Sequence, residues 1–91
     1  MKEKLLLVGA GGFGRVVSEH ISQLYDCAFI DDGKEKGTVI CGVPVIGSVS
    51  DLTKLYPTYQ KLVVTIGNNG LRERIYEQAA QIGYVFPNII L

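Results

Sequence analysis

Residues 5–17 read Leu-Leu-Leu-Val-Gly-Ala-Gly-Gly-Phe-Gly-Arg-Val-Val, an apolar run that stops at a cluster of glycines and resumes with a different spacing. The nearly continuous apolar stretch from Lys4 to Val8 suits a parallel strand buried on both faces. Beyond the glycines, Val16, Val17, Ile21 and Leu24 recur at roughly the 3.6-residue period of a helix. Between the two, Gly9, Gly11 and Gly14 hold the G-x-G-x-x-G spacing, which permits a tight turn, close approach of backbone to a pyrophosphate, and close packing of helix on strand. A helix starting there directs unpaired N–H groups and the positive end of its dipole at whatever lies beyond the loop. A nucleotide-type ligand is the first expectation.

The rest of the chain repeats the alternation. Cys27 to Ile30 form a second apolar strand, closed by the turn formers Asp31-Asp32-Gly33, and complete a β-α-β unit. The polar stretch from Gly33 to Gly42 reads as an exposed connection in which Thr38 to Cys41 can make a short extended piece. Val43 to Ile46 is a third strand, and Pro44, which cannot donate to a ladder, argues for a sheet edge. Ser48 or Ser50 can cap a short helix near Asp51 to Tyr56, ended by Pro57. Lys61 to Ile66 is a β-branched fourth strand that stops at Gly67-Asn68-Asn69-Gly70. Leu71, Ile75, Ala79 and Ile82 then mark a helical stripe, with Arg72, Glu73, Arg74 and Glu77 on the other face and Gly83 as a C-terminal stop. Tyr84 to Phe86 is a last short strand, and Ile89-Ile90-Leu91 has no evident partner.

Strands alternating with helices through right-handed crossovers give an α/β fold, a small Rossmann-like three-layer domain with a mostly parallel sheet in the order 3-2-1-4-5. In that order the first and fourth strands are neighbours whose helices leave to opposite faces. A crevice then opens at their carboxyl ends, bordered by Gly9 to Gly14 and by Gly67 to Gly70. The 91 residues make one domain, 1–91, with room for a single core and short for a self-sufficient enzyme. Nine Lys plus Arg balance nine Asp plus Glu, which leaves no long-range field to draw the chain to nucleic acid or an anionic membrane. Its longest apolar run is far below the ~20 residues of a membrane span, and Met1-Lys2-Glu3-Lys4 leads straight into the first strand, so no membrane insertion and a cytoplasmic location are expected. Cys27 and Cys41 are not paired in a C-x-x-C motif, and His20 alone cannot build a metal site with them. No metal is expected, nor any catalytic residue, because the chain holds no Ser-His-Asp set and no paired carboxylates except Asp31-Asp32.

The candidate ligand-binding residues cluster at the crevice. Asp31 lies about twenty residues beyond Gly11, at the end of the second strand, where a carboxylate can accept hydrogen bonds from ribose hydroxyls. Asp32 beside it is a second contact or only a turn former. Gly12 and Phe13 sit at the rim of the loop, where the ring either stacks on a base or sugar or covers the crevice. Arg15 reaches phosphate or stays solvated. Gly67, Asn68 and Asn69 offer donors and acceptors to a sugar hydroxyl or phosphate; alternatively the asparagines serve turn geometry, with Asn69 capping the next helix. Arg72, in the first turn of that helix, is a phosphate partner or a surface charge. These residues are compatible with a nucleotide-sugar ligand, with an NAD- or CoA-binding Rossmann module of an oxidoreductase or regulatory protein, and with an interaction domain whose crevice stays empty.

Four segments taken together, 8–17 (V-G-A-G-G-F-G-R-V-V), 29–32 (F-I-D-D), 42–47 (G-V-P-V-I-G) and 66–75 (I-G-N-N-G-L-R-E-R-I), resemble the N-terminal domain of bacterial sugar O-acyltransferases, the PglD-like or sialic acid O-acetyltransferase family. The resemblance spans nearly the whole chain, and the I-G-N-N-x-x-R segment with Asp31-Asp32 is more specific than the glycine motif. It implies that this domain binds a UDP-sugar. It also implies that acetyl-CoA and the catalytic histidine belong to a following left-handed β-helix that makes a homotrimer, so that the chain is the N-terminal fragment of a longer acetyltransferase. By itself the fragment is then expected to be a non-catalytic monomer that binds no cofactor. Carried over residue by residue, Asp31 and Asp32 fall at the uridine, Gly11 to Gly14 at the diphosphate, and Asn68, Asn69 and Arg72 beside the sugar-phosphate portion.

Overall fold

In a computed structural model that describes residues 1–89, the first strand, β1 (Glu3–Val8), lies at the centre of a five-stranded sheet. Ile90 and Leu91 lie outside the described residues. Side chains alternate across a strand, and β1 shows what that does when both faces are covered. Leu5 and Leu7 enter one core with Val17 and Ile21 of helix α1 (Gly12–Ile21), whereas Leu6 and Val8 enter a second with Ile75 and Ala79 of helix α3 (Asn69–Ile82). Leu5 to Val8 are at most 1% exposed, so the apolar run is continuous because neither face of it meets water.

Strand β2 (Tyr25–Ile30) pairs parallel with β1, from Glu3 opposite Tyr25 to Val8 opposite Ile30. On the other side of β1, strand β5 (Lys61–Val64) also pairs parallel, with Val8 opposite Val64. Strand β4 (Val43–Gly47) adds to β2, and a short 3-10 turn (Val49–Asp51) and helix α2 (Leu52–Leu55) carry the chain back over the α3 face, where Leu52 is buried. Asp51 Oδ2 accepts from the Ser48 amide at 3.0 Å and closes this turn. Two cores on opposite faces of one sheet make the three layers that the alternation requires.

With β3 at Val39–Ile40, the order β3-β4-β2-β1-β5 differs in detail from the expected 3-2-1-4-5. A two-residue strand, β3 (Val39–Ile40), lies outside β4 and pairs with it antiparallel, so the proline-bearing strand is not the edge. Positive φ at Cys41 and Gly42 folds the hairpin back on itself. The ladder passes over Pro44, because Val45 N donates to Thr38 O at 2.7 Å. At the far side Tyr84 to Phe86 do not form a full strand: only Val85 bridges, to Lys61, and Pro87 follows. Ile89, expected to lack a partner, packs against the α1-side core.

β1 and β5 are neighbours, while α1 and α3, which follow them, cover opposite faces. The crevice at the carboxyl ends of these two strands follows from that divergence.

Candidate functional site

The glycine loop is shaped by two different demands. Gly9 has a φ of +113°, and a Cβ there would come within 2.9 Å of the Thr65 carbonyl oxygen. A Cβ at Gly14 would overlap the Gly9 carbonyl oxygen, so the absent side chain lets α1 descend onto the loop. Gly11 and Gly12, by contrast, have nothing among the described residues within 4 Å of where a Cβ would stand. Gly9 and Gly14 are therefore spent on packing, and the open side of the loop belongs to Gly11 and Gly12. No side chain caps α1, and its first turn carries no acidic residue, so its N-terminal amides keep their affinity for an anion.

Asp31, at the carboxyl end of β2, ties this loop down. Its Oδ2 accepts from the Ala10 amide at 2.8 Å and its Oδ1 from the Gly33 amide at 2.7 Å. Asp32 Oδ1 accepts from the Val49 amide at 2.8 Å, which holds the start of the 3-10 turn against β2. An ionised carboxylate offers about four acceptor positions, so both aspartates organise backbone and retain capacity for a ligand. From the β5 side, Thr65 Oγ1 donates to the Gly9 carbonyl at 2.7 Å, with the Val8 carbonyl at 3.1 Å.

A cavity of about 470 Å³ opens here, within the ~300–1,000 Å³ usual for small-molecule sites. Its floor is Val8, Gly9 and Ile30, and one wall is Asp31, Asp32 and Val49. The other wall is Ile66 with Leu71, Arg74, Ile75 and Gln78 of α3. The lining is thus aliphatic, with two carboxylates facing one guanidinium and one amide across it. A second cavity of about 350 Å³ lies at the opposite end of the sheet, beside Lys2 and Asp26, away from the glycine loop.

Of the residues singled out in the sequence, Gly9, Asp31 and Asp32 meet in this cavity. Gly11, Gly12, Phe13 and Gly14 belong to the adjoining loop and first turn of α1, and the Phe13 ring is half exposed. Gly67, Asn68, Asn69 and Arg72 stand at the amino end of α3 without lining the cavity. Asn68, not Asn69, caps that helix: its Oδ1 accepts from the Leu71 amide at 2.9 Å. Asn69 Oδ1 instead accepts from Arg72 Nη2 at 2.6 Å. Arg74, expected on the solvent face, and Gln78 line the cavity, and Thr65 and Val49 support it. The signal for the first two is that 71, 74, 75 and 78 share one helical face, so a ligand-facing stripe overlaps the apolar one.

The model of the PglD N-terminal domain matches residues 4–79 of the chain, which takes in the loop, both aspartates and the cavity-facing turns of α3. The chain belongs to the PglD N-terminal domain family. The family's fold recurs in the acetyltransferase domain of PglB from Neisseria gonorrhoeae, 37% identical with a TM-score of 0.83 over 94% of this chain and 43% of that one. The same domain in complex with acetyl coenzyme A is 39% identical with a TM-score of 0.78. A variant of perosamine N-acetyltransferase from Caulobacter crescentus, in complex with CoA and GDP-perosamine, is 28% identical with a TM-score of 0.79 over 89% of this chain and 39% of that one. The chain therefore spans about two fifths of the length of these acetyltransferases. UDP-D-quinovosamine 4-dehydrogenase from Vibrio fischeri shares the fold, with a TM-score of 0.74 at 22% identity. None of the curated proteins matches the chain in sequence. Among the described residues no helix is long and apolar enough to cross a membrane.

Proposed function

We propose that this PglD N-terminal domain binds a nucleotide-sugar of the UDP type for an acetyltransferase and performs no transfer itself. The reading is carried by the placement of Asp31 and Asp32 on one wall of an aliphatic cavity whose floor includes Gly9, the first glycine of the loop that leads into the uncapped amino end of α1. In this reading the nucleoside lies in the cavity, with its ribose hydroxyls donating to Asp31 and Asp32. The diphosphate crosses the open side of Gly11 and Gly12, where the amides of α1 neutralise its charge. The sugar extends past Phe13 toward Gly67, Asn68, Asn69 and Arg72. A nucleotide-sugar in the Caulobacter relative supports the ligand class.

The polar groups around the cavity are carboxylates, a guanidinium and amides, which hold hydroxyls and phosphates but supply no activated nucleophile. Acetyl transfer from acetyl-CoA is assigned to sequence of the kind that makes up the remainder of the matched acetyltransferases. A thermal-shift panel tests the ligand class, since a ligand bound only by the native state raises Tm by mass action. UDP-sugars and UDP should raise it and CoA should not. A panel in which UDP-sugars leave Tm unchanged contradicts the proposal.

A further inference from the structure

The peptide unit between Gly9 and Ala10 is gripped at both ends. Its carbonyl accepts from Thr65 Oγ1 at 2.7 Å and its N–H donates to Asp31 Oδ2 at 2.8 Å. Thr65 is 3% exposed and follows β5, whereas Asp31 follows β2, so one peptide plane is fixed from both strands that flank β1. Among the described residues the Gly9 carbonyl has no other hydrogen-bond partner, and Gly14 closes over it.

The orientation matters electrostatically. With the carbonyl turned inward, the loop presents no peptide oxygen at Gly9 to an anion over Gly11 and Gly12. At φ +113° Gly9 is permissive enough to rotate the plane once its anchors are weakened. A carbonyl turned outward would place partial negative charge beside the phosphates and break the Ala10 to Asp31 bond. We infer that Thr65 is a positioning residue for the phosphate portion of the ligand: its hydroxyl sets the polarity of the glycine loop by holding the Gly9 carbonyl away from the anion. This rests on the nucleotide-sugar reading above. Thr65 carries no sequence signal of this role, because it reads as one more β-branched strand residue.

The test compares UDP with uridine, which share a nucleoside and differ in the diphosphate, by amide chemical-shift titration of the 91-residue chain and of Thr65→Val and Thr65→Ser. Thr65→Val should weaken UDP by about tenfold or more while uridine changes by less than about twofold. The Ala10 amide, bonded to a carboxylate in the wild type, should move in its resonance position. Thr65→Ser, which keeps the hydroxyl, should restore both. A residue that only stabilises the fold would lower Tm and leave the UDP-to-uridine ratio unchanged. That result, or a serine variant that behaves like valine, overturns the inference while leaving the nucleotide-sugar reading in place. A wild-type chain that binds neither UDP nor uridine overturns both.

Discussion

Gly14 packs so closely on Gly9 that a Cβ at position 14 would overlap the Gly9 carbonyl oxygen, whereas a Cβ at Gly11 would meet no atom of the described residues within 4 Å. Two glycines of one motif therefore answer to different requirements, and substitution separates them. Gly14→Ala should cost about 1–3 kcal/mol of folding stability, the usual penalty of overpacking, or prevent folding. Gly11→Val should fold with nearly unchanged Tm and lose UDP binding, because its side chain fills the space assigned to the diphosphate. Urea melts and UDP titrations of the two variants check this. A Gly11→Val chain that binds UDP normally removes the diphosphate from that loop.

Asp31 joins the ends of β1 and β2 through the Ala10 and Gly33 amides. Asp31→Ala should lower both stability and UDP affinity, each by about 1–3 kcal/mol, the cost of losing a charged partner and leaving backbone donors unmatched. Equal affinity in this variant, measured by calorimetry, takes Asp31 out of the site and leaves it as a loop anchor.

The four parallel strands, the two major helices and their opposite faces are legible in the sequence because burial writes itself as periodicity: Leu5 to Val8 unbroken, and Leu71, Ile75 and Ala79 at helical spacing. The β1–β5 adjacency followed from crossover handedness, and with it the location of the crevice. What stayed hidden has a common cause. Arg74 and Gln78 look solvated because the face they share with Leu71 and Ile75 abuts a cavity, and a polar side chain beside a cavity has the same sequence pattern as one beside water. Val49 joins the site through a tertiary bond to Asp32 that no local pattern encodes. Pro44 signalled an edge, but the turn at Cys41 and Gly42 covered that edge with β3.

The two arginines of α3 should separate nucleotide from sugar. Arg74 lines the cavity and has no ion-pair partner among the described residues, while Arg72 bonds Asn69 at the amino end of the helix. Arg74→Ala should weaken UDP and UDP-sugar alike, by about tenfold, as expected for a lost charged contact. Arg72→Ala should spare UDP and weaken only the UDP-sugar. The reverse pattern in paired titrations would place the ligand in the opposite orientation.

Burial pushes the Cys27 thiol up to about 11 from 9.0, with Asp26 adding to the effect, and the Tyr84 phenol up to about 12 from 10.0, with Tyr84 Oη also donating to the Leu52 carbonyl at 2.6 Å. Both groups are neutral at pH 7, and both lose their protons more readily in the unfolded chain. Between the unfolded and folded values the unfolded state binds fewer protons, so stability falls as pH rises. Tm should hold steady to about pH 8.5 and drop progressively from about pH 9 toward pH 12. Cys27→Ala should flatten the first part of that decline. A Tm that rises across this window contradicts the burial of these two groups.

Whether the cavity beside Asp31, Asp32 and the glycine loop holds a nucleotide-sugar is decided by isothermal titration of the 91-residue chain with UDP, a UDP-sugar, NAD and CoA. UDP and the UDP-sugar should bind with one-to-one stoichiometry, with NAD and CoA silent. Binding of NAD with silence toward UDP and the UDP-sugar would contradict a nucleotide-sugar site.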